Sequence, residues 1–167
     1  MRAILGQQIT VKAATTIASR FVDAFGEPII TTRAELNRLT PTASKIAAAS
    51  VDSIARHGII AARARSIAAL AKADASGDLR LDGAHDRPDE AIQRLAGLPG
   101  VGPWTAHYMA MRALRWPDAF PKEDVAVRNN LGGVTAAEAE ALSQSWRPWR
   151  SYAVMHIWRM GKPAARA

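Results

Sequence analysis

The chain has 167 residues, 49% of them hydrophobic, which suits one domain, or one and a small extension, with a proper core. Its 22 Lys and Arg stand against 15 Asp and Glu, a formal charge of +7, so a polyanion is the expected partner, although a merely basic protein carries the same balance. Cysteine is absent, which excludes disulfides, thiol catalysis, cysteine-ligated zinc and iron–sulfur clusters. The histidines (His57, His85, His107, His156) lack ligand spacing, so no transition-metal site is expected. No basic leader with an apolar stretch opens the sequence and no apolar run approaches membrane-spanning length. A soluble, cytoplasmic protein is expected.

In chain order, Arg2 to Leu5 reads as helical and is interrupted by Gly6-Gln7-Gln8. Those glutamines suit a polar turn or a projection into a groove. Thr10 caps a second helix whose buried face is Ala14, Ile17, Ala18, Phe21, Val22 and Phe25, and Gly26 stops it. Thr32 and Glu35 have capping-box spacing, predicting a short helix that ends near Leu39. Pro41 opens another, and Ser50 caps a third that Gly58 stops. Ala61 to Ala75 is a strong helix bearing Arg63 and Arg65, followed by a polar surface loop from Ser76 to Pro88.

Pro88 starts the first of two helices joined by Leu98-Pro99-Gly100-Val101-Gly102-Pro103, and the second runs to about Leu114. The glycines permit a tight turn, and Pro103 suits the first helical position because it has no N–H to lose. The N–H groups of Gly102, Trp104 and Thr105 would then point outward as an anion cradle, and in a basic protein the expected anion is a backbone phosphate. As a bare motif this is also an ordinary helix connection. Beyond the break at Trp116-Pro117-Asp118, Asp124 to Asn130 reads as a short helix, stopped by Gly132-Gly133. Thr135 and Glu138 form a second capping box, and Pro148 begins a last helix reaching Met160 before Gly161. No convincing strand is found. The fold class is all-α.

Three features bear on chemistry. Asp124 opens a helix, where an aspartate is ordinarily a cap. Trp104 and Tyr108 share one helix face, and the segment Trp146-Arg147-Pro148-Trp149-Arg150-Ser151-Tyr152 leads to His156-Ile157-Trp158. For Trp146 and Trp149 the core is the preferred place, and His156 reads as a hydrogen-bonded core histidine, while the interleaved arginines leave a nucleic-acid surface open.

Taken together, Arg2-Ala3-Ile4-Leu5-Gly6-Gln7-Gln8, the hairpin Leu98-Pro99-Gly100-Val101-Gly102, Trp104-Thr105-Ala106, Asp124 and the Trp146–Trp158 segment resemble the helix-hairpin-helix base-excision DNA glycosylases. The closest branch is the 3-methyladenine DNA glycosylase II (AlkA-like) one. The resemblance covers essentially all of residues 1–167 and implies two helical subdomains flanking a cleft. It implies Asp124 as the essential aspartate and Trp104, Tyr108 and Trp158 as the aromatic pocket for the damaged base. Trp104 stands where lyase-type relatives carry a nucleophilic lysine, which implies a monofunctional enzyme. Gln8 falls on the side chain inserted into the duplex gap. Gly100, Val101, Gly102 and Thr105 fall on the phosphate-holding hairpin, with a monovalent cation on the carbonyls of Ala96, Leu98 and Val101.

The implied reaction is excision of 3-methyladenine and 7-methylguanine from double-stranded DNA by N-glycosidic hydrolysis. It needs no cofactor and no catalytic metal, and a monomer at the nucleoid would carry it out. Branch members carry an N-terminal β-domain and the start of the first helical segments ahead of Arg2-Ala3-Ile4, so an N-terminally truncated domain is expected here. The rival readings are a catalytically impaired DNA-binding fragment of such an enzyme or of a larger alkylation-response fusion, and a purely helical interaction module.

Overall fold

A computed structural model describes residues 1–81 and 87–160. His85, the middle of the expected 76–88 loop and Gly161 lie outside the described residues. Ten α-helices are present among the described residues, with one isolated bridge and no strand, so the chain is all-α. The helices fall into two compact units.

One unit contains Met1–Arg80 and Gly97–Val101. Its helices are α1 (Arg2–Leu5), α2 (Val11–Phe25), α3 (Ala43–Ala47), α4 (Val51–Ala55) and α5 (Ala61–Ala75). Helix α5 packs against α1, α3 and α4 and buries Ala64, Ser66, Ile67, Ala68, Leu70 and Ala71, residues on most of its circumference, as a central helix must. Ile4, Leu5, Phe21, Ile46 and Ile54 complete this core. The cap at Thr10 forms with Ala13 N at 3.2 Å, and Ser50 caps α4 through Ser53 N at 3.1 Å. Of the buried face expected for α2, Ala14 and Phe21 are fully buried and Ile17, Ala18, Val22 and Phe25 half-buried. Gly26 ends α2 with a negative φ of −73°, so its role there is space: a Cβ would fall on the carbonyl oxygens of Val22 and Leu39.

Two boundaries differ from the sequence reading. Pro41 lies ahead of α3, which Thr42 caps through Lys45 N at 3.3 Å. The helix expected from Thr32 to Leu39 is absent. Instead Ile29 N donates to Asn37 O at 2.9 Å and Leu39 N to Glu27 O at 2.8 Å, around the Pro28–Arg38 antiparallel bridge. The hydroxyl of Thr31 lies 2.7 Å from Arg33 O and 2.8 Å from Leu36 O and accepts from Arg33 N. A side-chain turn one residue earlier therefore replaces the capping box.

The other unit contains Leu81–Ala96 and the described residues from Gly102 on. Its helices are α6 (Pro88–Ala96), α7 (Pro103–Arg112), α8 (Val125–Asn130), α9 (Ala136–Ser143) and α10 (Arg150–Ile157). Ala91, Ile92 and Leu95 of α6, Ala106, Met109 and Ala110 of α7, and Phe120, Val127, Val154 and Ile157 form its core. The Thr135–Glu138 capping box closes in both directions, through Glu138 N to Thr135 Oγ1 and Thr135 N to Glu138 Oε2. Ahead of α10, Gln144–Trp146 is a 3₁₀ turn, so the last helix begins at Arg150 rather than at Pro148.

Candidate functional site

The hairpin joins α6 to α7. Val101 N donates to Leu98 O at 3.1 Å, and Gly100 has a φ of +71° that a side chain would strain. A Cβ on Gly100 would also collide with Ser66 Oγ of α5. Gly102 is the N-cap of α7 without a side-chain cap, and Pro103 follows at the first helical position. Among the described residues the N–H groups of Gly102 and Trp104 have no acceptor. Gly102 is exposed, and a Cβ placed there would meet nothing within 4 Å, so a ligand can approach the backbone closely. Val101 and Thr105 are buried, and the Val101 N–H is spent within the turn.

Asp124 is buried, and α8 begins behind it. Its Oδ1 accepts Val127 N at 2.8 Å, which is the expected cap. The same carboxylate also accepts two indole N–H groups, Trp104 Nε1 at Oδ2 (2.7 Å) and Trp158 Nε1 at Oδ1 (3.1 Å). Trp104 stacks on Tyr108 with ring centroids 5.3 Å apart and planes 14° from parallel. Trp158 lies 6.1 Å from Tyr108, tilted by 43°. The fold thus brings Asp124, Trp104, Tyr108 and Trp158 into one cluster inside one unit, drawn from α7, the N-cap of α8 and the C-cap of α10. Admitting a base between Trp104 and Tyr108 would take two contacts of roughly 3.5 Å each, so this pair offers its outer faces rather than a slot.

What presents Asp124 is a second set of residues that the sequence reading did not assign. Arg150 Nε donates to Asp118 Oδ1 at 2.8 Å, and its Nη2 donates to Asp118 Oδ2 at 2.9 Å and to Asp118 O at 2.8 Å. Arg147 Nη1 adds a bond to Oδ2 at 2.6 Å, and Arg150 Nη1 reaches Glu140 at 3.2 Å. Ser151 N donates to Pro117 O at 2.8 Å, and its hydroxyl sits 2.7 Å from Trp116 O. The first turn of α10 therefore grips residues 116–119, while its last residues reach Asp124 through Trp158 and hold Asn130 through Ile157 O at 2.7 Å. Arg150 is buried against Asp118, which takes it out of the nucleic-acid surface the sequence left open, while Arg147 pairs with Asp118 and stays half-exposed. Trp149 is 58% exposed and His156 is exposed, so neither occupies the expected core position, while Trp146 packs against Phe120 at 6.1 Å. A buried arginine demands an acid nearby, and Asp118 in the break after α7 was the available signal.

His107, on α7 between Trp104 and Tyr108, has a buried Nδ1 with no partner among the described residues, as does Glu123 Oε2. Burial pulls the imidazole below the ordinary histidine value, and the charges of Glu123 and Glu140 oppose the shift only in part. Gln8 is exposed with a left-handed φ of 55° in the turn after α1.

The probable bifunctional transcriptional activator/DNA repair enzyme AlkA of Mycobacterium tuberculosis is 42% identical over 164 residues, covering 95% of this chain and 32% of that protein. DNA-3-methyladenine glycosylase 2 of Escherichia coli is 33% identical over 158 residues, covering 95% of this chain and 55% of the relative. The chain thus spans about a third to about a half of the length of these relatives. Among solved structures, a 3-methyladenine DNA glycosylase from Archaeoglobus fulgidus superposes with a TM-score of 0.78 at 23% identity, over 94% of this chain and 55% of that one. The Schizosaccharomyces pombe 3-methyladenine DNA glycosylase in complex with abasic DNA gives 0.73 at 24%, over 99% of this chain and 80% of that one. Both show the shared fold. Residues 1–150 match the HhH-GPD superfamily of base excision DNA repair proteins, and the chain belongs to that superfamily.

Proposed function

We propose that this chain is the glycosylase domain of a monofunctional DNA repair enzyme that flips an alkylated purine out of double-stranded DNA and hydrolyses its N-glycosidic bond. The observation that carries this reading is the buried Asp124 carboxylate held by two indole N–H groups inside an aromatic cluster. A base inside a duplex is unreachable, and a damaged, weakly paired one is the least costly to extrude. Gln8, exposed at the turn after α1, suits the gap left behind, where a wedge offsets lost stacking. The orphan N–H groups of Gly102 and Trp104 suit a backbone phosphate. A monovalent cation on the carbonyls of Ala96, Leu98 and Val101 would add positive charge beside that phosphate. Leu98 O accepts Val101 N–H at 3.1 Å, and a carbonyl oxygen has two lone pairs.

Alkylation at N3 or N7 gives the purine positive charge, which the faces of Trp104, Tyr108 and Trp158 attract by about 0.5–2 kcal/mol per contact. The same charge makes the base a good leaving group. As the bond breaks the sugar turns oxocarbenium-like, and a fixed carboxylate beside it stabilises that cation and orients or deprotonates the incoming water. No Schiff base forms, since position 104 is a tryptophan and supplies no amine. All four residues lie in one unit of one chain, so a monomer suffices.

The test is incubation of the chain with methylated duplex DNA, with Asp124→Asn alongside. Release of 3-methyladenine and 7-methylguanine that requires Asp124 is expected. Undiminished release by Asp124→Asn would reject the assignment, and binding of an abasic duplex without any release would identify a DNA-binding domain.

A further inference from the structure

Gln7 has its own place in the fold, distinct from that of its neighbour Gln8. Its Nε2 donates to Gly100 O at 3.0 Å, across 93 positions of sequence. Its backbone carbonyl accepts from the guanidinium of Arg63 on α5. One turn along α5, Ser66 packs against Gly100 so closely that a Cβ there would meet its hydroxyl. Arg63, Ser66, Gln7 and Gly100 all lie in one compact unit. Beside them Gln8 holds a left-handed backbone, which a residue with a side chain keeps only where its surroundings over-determine it.

We propose that Gln7 is a positioning residue: it fixes the exposed Gln8 at a set place relative to the Leu98–Val101 turn, so that DNA anchored at the hairpin meets the wedge in register. The Gln7 carbonyl belongs to the peptide that precedes Gln8, so the Arg63 bond fixes the plane about which the Gln8 φ is defined. The Gln7 side chain then ties that peptide to the hairpin backbone. Two hydrogen bonds thus set both the conformation and the location of Gln8. A wedge ordered before binding loses less conformational freedom when it enters a gap in the duplex. The effect belongs to DNA with a gap and not to intact duplex, where Gln8 has nothing to enter. This inference rests on the reading of the hairpin as phosphate anchor and Gln8 as wedge.

The experiment measures the affinity of the whole chain, by fluorescence anisotropy, for a duplex with a tetrahydrofuran abasic-site mimic and for the same duplex intact. Gln7→Met keeps the length of the side chain and removes its donor. It is expected to weaken abasic binding by roughly 5–10-fold, the worth of one hydrogen bond, and to leave intact-duplex binding unchanged. In a Gln8→Ala background the same substitution is expected to add no further loss, because nothing remains to be positioned. Arg63→Lys, which keeps the charge and removes the planar fork, is expected to give the same pattern from the α5 side and serves if Gln7→Met does not fold. Equal losses on both duplexes, or a loss that persists fully without the Gln8 side chain, overturn the proposal. A wild-type preference for the abasic duplex that survives in Gln7→Met overturns it alone, whereas a wild-type chain that binds both duplexes equally overturns the wedge reading and the proposal with it.

Discussion

Trp158, the C-cap of α10, donates its indole N–H to Asp124 Oδ1 at 3.1 Å, so the aromatic cluster and the buried carboxylate are a single hydrogen-bonded object. Trp104 holds the other oxygen at 2.7 Å. A tryptophan in this site therefore has two separable properties, a ring face for a cationic base and an N–H for the carboxylate. Trp158→Phe keeps a ring and loses the donor. A hydrogen bond to a charged group contributes about 1.5–3 kcal/mol, so base release is expected to slow by roughly 10–100-fold with binding of an abasic duplex little changed. Single-turnover release of 3-methyladenine checks this, and a wild-type rate in Trp158→Phe would reduce the N–H to a bystander.

The two duties of Asp124 separate in the same way. Its Oδ1 caps α8 through Val127 N, and asparagine caps a helix about as well as aspartate. Asp124→Asn is expected to keep the cap, to lose some stability where its amide NH2 meets the Trp104 indole N–H, and to lose at least about a hundredfold in base release. Asp124→Ala is expected to lose the activity and, with the cap gone too, about 1 kcal/mol more stability than the loss of the indole bonds alone would cost. Thermal melts of the two variants beside wild type distinguish the cap from the chemistry.

Local signals assigned the residues of this site to their helices, while their union in one site was implied by the family resemblance alone. A proline at the first turn of α7, an aspartate opening α8 and two aromatic residues one turn apart place Trp104, Tyr108 and Asp124 without knowledge of the fold. What was hidden is set by tertiary packing. Arg150 looks like a surface charge in Trp146–Tyr152 and turns out to be buried against an aspartate 32 positions earlier. Gln7 and Gln8 are the same residue type side by side, and only the fold shows that one faces the hairpin carbonyl and the other is exposed. At Thr32 and Glu35 the capping pattern was correct as a pattern, and the Thr31 hydroxyl together with pairing of residues 27–39 overrode it. A local rule fails where a longer-range bond competes for the same backbone groups.

Gly100 is expected to be among the least replaceable residues of the hairpin. Alanine there meets a left-handed φ of +71°, at about 1–2 kcal/mol, and a contact with Ser66 Oγ. Gly100→Ala is therefore expected to destabilise the chain by at least that amount and to weaken DNA binding. Combining it with Ser66→Ala removes the collision and leaves the backbone strain, so the double variant should recover part of the loss. Urea denaturation of the two single variants and the double measures the recovered share, and a double variant no better than Gly100→Ala would exclude the steric term.

The Asp118–Arg150 pair holds the segment that leads to Asp124, and both side chains are buried. Removing Asp118 takes two carboxylate bonds from the buried Arg150 and leaves it Glu140 at 3.2 Å, at a cost of up to about 3–5 kcal/mol. Asp118→Ala is expected to lower the melting temperature by roughly 10 °C in a chain of this size. Replacing both residues by apolar ones should cost less than the sum of the single changes, because the charges left over, on Glu140 and Arg147, are the more exposed ones. Additive losses would show that packing, and not the ion pair, secures residues 116–119.

Acid should destabilise the chain in two windows, with signs fixed by the direction of each shift. Burial holds the His107 imidazole below its ordinary value, with Glu123 and Glu140 opposing in part, so the unfolded chain takes up this proton at a higher pH than the folded one. Stability is thus unaffected by His107 above the ordinary histidine range and declines as pH falls through it, until the folded imidazole also titrates. Glu138 behaves as a carboxylate held below its usual range, first by the Thr135 backbone N–H and then by its hydroxyl. Its contribution is complete above the usual carboxylate range and is lost as pH falls further. Because Glu138 is fully exposed, that second effect is expected to be the smaller. Melting temperatures between pH 8 and pH 5, roughly the histidine range, should fall for wild type and stay flatter for His107→Leu. Equal slopes in the two proteins would place the acid sensitivity elsewhere, and a slope that rises toward acid would contradict a histidine buried in its neutral form.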